Sequence, residues 1–301
     1  PLDTAVAHGE RIGRLPGLAV FSSDALSSVA YAVEEILIVL APVGAVALTL
    51  SMPVALVIVV LLMLVVMSYR QVIPAYPHGG GSYSVARENL GAVPGLVAAA
   101  SLMVDYTLTV AVSVTAGIAA VTSAMPLLFA HRVALSLACV ALVATANLRG
   151  LRESATVLSI PTYGFILSLG GLLVVGCYRW LTGTLPTASY PTLVGAAATG
   201  MAVPALTAFV VLRAFSSGCT AMTGVEAIAN GVTSFKEPRA RNANATLTML
   251  AVILAVLMLG TTALTQKIGI VPVVGQTVIS QLGRLVLGGG PFYFAVQFFT
   301  A

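Results

Sequence analysis

The amino-acid sequence predicts an all-α polytopic membrane protein. Its mean hydropathy is +1.03, and 58% of its residues are hydrophobic while only 8% are charged, which is far outside the range of soluble globular domains. The apolar residues fall into long runs, and roughly 20 such residues in a helix cross a hydrocarbon core of about 30 Å. We therefore expect seven full spans, of which the fourth is short, and the start of an eighth. They lie at approximately 15–40, 43–68, 93–123, 133–148, 155–176, 202–230 and 246–265, and the eighth begins near residue 291.

The basic residues of the loops predict the orientation of these spans, because cytoplasmic loops carry an excess of Lys and Arg. If the N-terminus is cytoplasmic, that side receives Arg11, Arg14, Arg70, Arg87, Arg149, Arg152, Lys236, Arg239 and Arg241. The opposite side receives only Arg132, Arg179, Lys267 and Arg284. We therefore expect a cytoplasmic N-terminus, with residues 1–14 as an interfacial segment that lies along the surface or gates the inner mouth. The same bias accounts for the net charge of +4, so no nucleic-acid partner is needed.

Several function classes lack their sequence signatures. The three cysteines are isolated in the sequence, which favours neither a disulfide framework nor a zinc site. The catalytic motifs HExxH and GxSxG are absent, so we do not expect an enzyme. No TVGYG-like filter run is present, which argues against an ion channel.

Two of the spans carry small, hydroxylated and acidic residues in their middle. Residues 21–28 read FSSDALSS in the first span, and residues 215–226 read FSSGCTAMTGVE in the sixth. Unwound backbone at membrane depth is tolerated where it lines a cavity, and paired breaks in two halves mark transporter binding sites. We expect both helices to be discontinuous, with residues 15–176 as a first five-helix repeat and 202–301 as the start of a second. Because the chain ends at Ala301 within an apolar run, we expect a single transmembrane domain that is truncated after the start of the eighth helix.

Three acidic residues, Asp24, Asp105 and Glu226, lie inside the predicted spans. A carboxylate at bilayer depth costs several kcal/mol and needs a cation, a proton or a basic partner. Ion handling is therefore the first hypothesis. Arg213 in the sixth span is a basic residue that could neutralise one of these acids.

Oxygen-bearing side chains accompany each acid at helical spacing. Asp105, Thr109 and Ser113 recur at i, i+4 and i+8, so they share one helix face. The two hydroxyls either face a cation or bond back to their own helix. Asp24 shares a face with Tyr31, and Thr223 shares one with Glu226. We expect these pairs to converge on one central cavity.

The acids also have possible roles in proton movement and in attracting cations. Desolvation favours the neutral form of a buried carboxylate, so such a group can carry a proton. Glu226 and Asp24 are the candidates for proton coupling. Glu34 and Glu35 lie further along the first span, where they either line an outer vestibule that attracts cations or extend to the membrane interface.

Three stretches of the sequence closely resemble one transporter family. They are residues 21–35, residues 104–113, and residues 223–239, which include Thr223-Gly-Val-Glu226 and Phe235-Lys-Glu-Pro-Arg239. They are similar to the KimA-type members of the KUP potassium transporters, in the amino acid-polyamine-organocation (APC) superfamily. The resemblance implies a LeuT/APC-like five-plus-five inverted repeat and potassium uptake driven by the proton gradient, that is, K+/H+ symport by alternating access.

The resemblance also implies a set of potassium ligands, partners and a location. The ligands would be Asp24, Tyr31, Asp105, Thr109, Ser113, Thr223 and Glu226, and a further ligand is expected beyond Ala301. Potassium ions and protons are the expected transported species, and no cofactor is expected. Members of this family form homodimers through a C-terminal domain that binds cyclic di-AMP, which is not in this sequence. The expected location is the bacterial cytoplasmic (inner) membrane.

An amino acid or polyamine permease of the same superfamily is the main alternative. In such sites the substrate carboxylate meets the positive helix ends at the break in the first span. Asp24 stands at this break and would repel a substrate carboxylate. This argument leaves a cationic amino acid or a polyamine open.

Overall fold

The computed structural model describes residues 11–148, 155–188 and 205–301. Within these ranges all regular elements are helices. The α-helices are α1 (Arg14–Phe21), α2 (Ser23–Leu40), α3 (Ala45–Leu48), α4 (Ser51–Ala75), α5 (Gly81–Leu90), α6 (Ala92–Ala124), α7 (Arg132–Leu148), α8 (Ala155–Leu181), α9 (Ala208–Gly218), α10 (Ala227–Asn230), α11 (Arg239–Ile268), α12 (Val278–Leu287) and α13 (Pro291–Thr300). Short 3₁₀ helices lie at Ala41–Val43, Pro126–His131, Cys219–Met222 and Val232–Ser234.

Seven segments of the described chain are long and apolar enough to cross a membrane, which confirms the predicted number of full spans. These segments are Ser23–Val43, Ala45–Ala75, Ala92–Ala124, Pro126–Thr145, Ser159–Leu181, Ala208–Asn230 and Arg239–Ile268. The predicted start of an eighth span near residue 291 coincides with the first residue of α13. The protein is therefore an all-α, multi-pass membrane protein.

Several helices extend beyond the spans that were predicted from the apolar runs. α4 continues to Ala75 instead of ending at residue 68, α8 continues to Leu181, and α11 begins at Arg239 instead of residue 246. The added turns contain basic residues, namely Arg70, Arg179 and Arg241. Long basic side chains can extend from a helix to the membrane interface, so a charge marks the end of the apolar run and not the end of the helix.

The two breaks predicted from the sequence are present. The first span is interrupted at Ser22, between α1 and α2, so that Asp24 lies in the first turn of α2. The sixth span changes from α9 to the 3₁₀ helix Cys219–Met222, and α10 begins only after Glu226. Between them, Gly224 has a φ of +75°, a conformation that favours glycine. The acids of both spans therefore lie at breaks, while the five-plus-five repeat itself stays a prediction.

The core forms where the two broken spans pack against α4, α8 and α11. Small residues allow some of these helices to approach closely, as in other membrane bundles. Gly218 of α9 lies against Ile36 of α2 and Ile58 of α4, and Gly260 of α11 lies against Leu173 of α8. α6 and α7 lie at the edge of this bundle, with much of their apolar surface exposed.

Some of the predicted features lie outside the described residues. They are the first ten residues of the expected interfacial segment, the basic residues Arg149 and Arg152, and residues 202–204 at the expected start of the sixth span. The division of the chain into two repeats and an interfacial segment stays a prediction.

Candidate ion-binding site

Four hydroxyl side chains meet between the two breaks and α6. Ser28 Oγ is 2.7 Å from Thr223 Oγ1 and 3.0 Å from the hydroxyl oxygen of Tyr31. The Tyr31 hydroxyl is in turn 3.3 Å from Ser113 Oγ on α6. We call Ser28, Tyr31, Ser113 and Thr223 the hydroxyl cluster. It brings together Tyr31, Ser113 and Thr223, which the sequence had placed on three different spans.

Asp24 lies beside this cluster, next to a cavity of about 490 Å³. Thr109 and Ser113 of α6 line the same cavity, so one carboxylate and two hydroxyls from different spans face a shared space. The backbone carbonyl of Asp24 also accepts a hydrogen bond of 2.9 Å from Ser28 Oγ. Asp24 therefore joins the break in the first span to the hydroxyl-bearing face of α6.

The hydroxyls of Thr109 and Ser113 do not bond back to their own helix among the described residues. Other residues of α6 do so, since Thr107 donates to the Met103 carbonyl and Thr115 to the Ala111 carbonyl. Ser113 instead contacts Tyr31. Of the two alternatives left open by the sequence, the geometry matches hydroxyls that face other spans and a cavity.

Glu226 is held by a residue that the sequence analysis missed. The hydroxyl of Tyr106 donates a hydrogen bond of 2.9 Å to Glu226 Oε1. Tyr106 also lines the cavity beside Asp24. Tyr106 directly follows Asp105 in the sequence. Its side chain therefore points about 100° away from the helix face that Asp105, Thr109 and Ser113 share. A search for phenols next to the membrane-embedded acids would have found it.

Asp105 faces a different space from Asp24. It lines a cavity of about 550 Å³ whose other lining residues are mainly apolar, including Val97, Val104 and Leu108. No group of three His, Cys, Asp or Glu side chains within the described ranges could hold a metal ion. The three acids therefore do not form one compact chelating group.

Glu34 and Glu35 line a third cavity, of about 240 Å³, together with Tyr31 and Ser113. Glu34 Oε2 accepts a hydrogen bond of 3.0 Å from the backbone N–H of Val278, the first residue of α12. Carboxylates stabilise helix N-termini, where backbone N–H groups lack helical partners. Glu34 therefore binds the N-terminus of α12, and both of the roles expected for it from the sequence stay predictions.

Arg213 neutralises none of the three membrane-embedded acids. It is exposed on α9, and no ion pair joins it to Asp24, Asp105 or Glu226, all of which the structure describes. The possible pairing raised from the sequence is therefore wrong in this conformation. The reason is geometric, because Arg213 precedes the break and lies on the outward surface of its helix.

An aromatic contact between Phe21 and Phe235 lies on the α1 side of Asp24. Phe235 is fully buried, and its ring stacks on Phe21 with a centroid distance of 5.5 Å. The backbone adds two hydrogen bonds, from Ile12 N to the Ser234 carbonyl and from Lys236 N to the Ile12 carbonyl. The segment before α1 is thus hydrogen-bonded to the chain that follows α10.

The fold and the two broken spans define a multi-pass membrane protein, and the chain belongs to the amino acid permease family. Residues 15–301 match the family described as "Amino acid permease". The chain is also 45% identical, over all of its 301 residues, to the protein named "Potassium transporter KimA" from Bacillus subtilis (strain 168). The match covers 49% of that relative, so the chain spans about half the length of the curated relative it matches. The resemblance read from the sequence is confirmed.

Proposed function

We propose that the chain is part of a secondary active transporter that takes up potassium together with protons by alternating access. The observation that carries this proposal is the hydroxyl cluster beside Asp24, between the breaks of the first and sixth spans. Hydroxyl and carbonyl oxygens can replace the hydration shell of potassium, and a nearby carboxylate offsets its charge. The name of the 45% identical relative supports the same substrate.

In this proposal, seven side chains are the candidates for the potassium site. They are Asp24, Tyr31, Asp105, Thr109, Ser113, Thr223 and Glu226. Tyr31, Ser113 and Thr223 belong to the hydroxyl cluster, and Asp24 and Thr109 line the adjoining cavity. Asp105, which faces another cavity, would act through its charge in this conformation.

Glu226 and Asp24 are the proposed proton carriers. Of the two, Glu226 is better separated from the potassium site, because its Oε1 binds Tyr106 and not a member of the hydroxyl cluster. Co-transport is easier when proton and cation use different acids, since one shared carboxylate would make them compete. We therefore assign the proton first to Glu226.

The proposed membrane is the bacterial cytoplasmic membrane, with the N-terminus inside. The excess of basic residues in the loops on the α1 side supports this orientation. The cation would then enter along Glu34 and Glu35, whose cavity shares Tyr31 and Ser113 with the hydroxyl cluster. The contact of Phe235 with Phe21 would close the cytoplasmic path.

Transport of an amino acid is the second candidate, because the matched family is that of the amino acid permeases. Asp24 argues against a substrate carboxylate at the break, since it already occupies the first turn of α2. A carboxylate of the substrate would meet this negative charge and not the N–H groups alone.

Growth of a potassium-uptake-deficient bacterium on limiting potassium separates the two candidates. The full-length protein that contains this chain, which we call the parent protein, should restore growth. Its Asp24→Asn form should not. Glu88→Gln is the matched control, because Glu88 is an exposed acid on α5, outside the site. If a well-expressed parent restores no growth and instead takes up labelled amino acids, the potassium proposal is wrong.

A further inference from the structure

Ser27 lies between the two cavities along which the cation is proposed to move. One is the cavity of about 490 Å³ beside Asp24, which we call the Asp24 cavity. The other is the cavity of about 240 Å³ beside Glu34 and Glu35, which we call the Glu34 cavity. Of the described residues, Ser27 of α2 and Ser113 of α6 are the two that line both cavities. The two cavities therefore meet at these two serines.

The helix period explains why Ser27 occupies this position. Ser27 follows Asp24 by three residues and precedes Glu34 by seven, so all three lie on one face of α2. This face runs from the break in the first span to the N-terminus of α12, where Glu34 binds. An ion that moves along this face from Glu34 to Asp24 passes Ser27.

The side chain of Ser27 is small and is turned back towards its own helix. Its Oγ donates a hydrogen bond of 2.8 Å to the Asp24 carbonyl, so the hydroxyl lies against the preceding turn of α2. Ser27 is nonetheless partly exposed, whereas its neighbour Ser28 is 0% exposed. A larger side chain at position 27, without this hydrogen bond, would extend into the space between α2 and α6.

The surroundings of Ser27 suit the passage of a cation. Acidic side chains lie on both sides of it, Asp24 in one cavity and Glu34 and Glu35 in the other, and such groups raise the local concentration of cations. Lys, Arg and His are absent from the described residues that line the two cavities. A cation therefore meets no positive side chain along the described part of this path.

We propose that Ser27 sets the width of the passage between the Glu34 cavity and the Asp24 cavity, and thereby limits the movement of potassium to its site. The proposal rests on the potassium transport proposed above. Ser27 has this role through its size, so the small volume of the side chain, and not its hydroxyl group, is what transport requires at this position.

The first test enlarges the side chain in the full-length parent protein. Ser27→Leu should lower the initial rate of potassium uptake at least about tenfold, because the added methyl and methylene groups fill the passage. Ser27→Ala removes the hydroxyl and adds no volume, so it should retain at least about half of the parent's rate. Ser168→Leu is the matched control. Ser168 is a partly exposed serine of α8 that lines neither cavity, and its hydroxyl donates to the carbonyl of Phe165, three residues earlier.

The rates are compared at equal amounts of protein in the membrane. Uptake by Ser27→Leu that equals uptake by Ser168→Leu would overturn the proposal. An equal loss in Ser27→Ala and Ser27→Leu would overturn it as well, because the hydroxyl group and not the size would then be the cause.

A reversible enlargement tests the passage in a protein that has already folded. Ser27→Cys is introduced into a parent protein whose own cysteines, including Cys139, Cys177 and Cys219, are replaced by alanine. Methyl methanethiosulfonate then joins a thiomethyl group to the thiol as a disulfide, with methanesulfinate as the leaving group, and dithiothreitol removes this group again. Potassium uptake into proteoliposomes should fall at least about fivefold with the reagent and return after reduction.

The cysteine-free parent protein, treated in the same way, is the control for the reagent. Mass spectrometry measures how much of the protein is labelled. Failure of the thiol to react, unchanged uptake by the labelled protein, or a loss that reduction does not reverse would each contradict the proposal. This measurement also decides the question if Ser27→Leu does not reach the membrane.

The parent protein separates the failure of this inference from the failure of the proposed function. A parent that takes up no potassium overturns both proposals. A parent that takes up potassium, with a Ser27→Leu variant that behaves like Ser168→Leu, overturns only the role of Ser27.

Discussion

Gly224 lies directly against the carboxylate of Asp24, although 200 residues separate them in the sequence. A β-carbon at Gly224 would come within 2.6 Å of Asp24 Oδ2 and within 2.9 Å of Asp24 Cβ. The break in the sixth span therefore has to be glycine for the acid of the first span to keep its place. This contact connects the backbone geometry of one break to the charge at the other.

Gly224→Ala should displace Asp24 and reduce potassium uptake by at least about tenfold. The added methyl group would overlap the carboxylate, and a φ of +75° disfavours alanine as well. Gly269→Ala is the matched control, because Gly269 has a φ of +80° with no neighbour within 4 Å of the added carbon. Equal uptake by the two variants, at equal expression, would refute the steric role of the contact.

Tyr106→Phe should lower the rate of potassium uptake about tenfold. The substitution removes the hydrogen bond that the phenol donates to Glu226 Oε1, and a hydrogen bond to a charged group contributes about 1.5–3 kcal/mol. Tyr178→Phe serves as the control, since Tyr178 is exposed on α8. The initial rates of both variants are measured at saturating potassium. An unchanged rate in Tyr106→Phe would mean that this hydrogen bond has no part in transport.

Phe235→Ala should destabilise the folded protein by about 3 kcal/mol, the lower end of the cost for truncating a buried phenylalanine. The fully buried ring fills the space between α1 and the chain after α10, where it stacks on Phe21. Phe209→Ala provides the comparison, because Phe209 is exposed on α9. Thermal unfolding in detergent should show a lower midpoint for Phe235→Ala alone. Identical midpoints for both variants would contradict the packing role of Phe235.

Glu34→Ala should loosen the N-terminus of α12. The variant loses the acceptor of the Val278 N–H, and loss of such a cap costs about 1 kcal/mol, or roughly a fivefold change in local opening. Hydrogen exchange at the Val278 amide should therefore become about fivefold faster. Glu35→Ala should leave this amide protected, since Glu35 lines the neighbouring cavity without binding α12. Equal exchange rates in the two variants would show that Glu34 does not protect the Val278 amide.

The sequence was sufficient to predict the spans and the breaks, because both follow from local composition. Apolar runs define the seven spans, and the serine and glycine residues next to Asp24 and Glu226 mark where the helices are interrupted. The predicted positions of the helix ends were less accurate. Arg70 and Arg241 ended the apolar runs, but the helical hydrogen bonds continue through them.

Long-range partners could not be predicted in the same way. The hydrogen bond from Tyr106 to Glu226 joins residues on separate spans. Its signal in the sequence is one phenol that lies outside the helix face shared by Asp105, Thr109 and Ser113. The binding of Glu34 to Val278 requires α12, a helix that was not predicted from the sequence. Asp105 shares the predicted face with Thr109 but lines a separate cavity, because periodicity fixes the face of a residue and not the space that this face meets.

Potassium uptake into proteoliposomes that contain the full-length parent protein tests the central claim most directly. With an acidic exterior, the parent should take up potassium faster than without a proton gradient, and Asp24→Asn should reduce this uptake by at least about tenfold, because it removes the charge beside the hydroxyl cluster. Glu88→Gln should match the parent. Parent-like uptake by Asp24→Asn, or a parent whose uptake is indifferent to the proton gradient, would contradict the account.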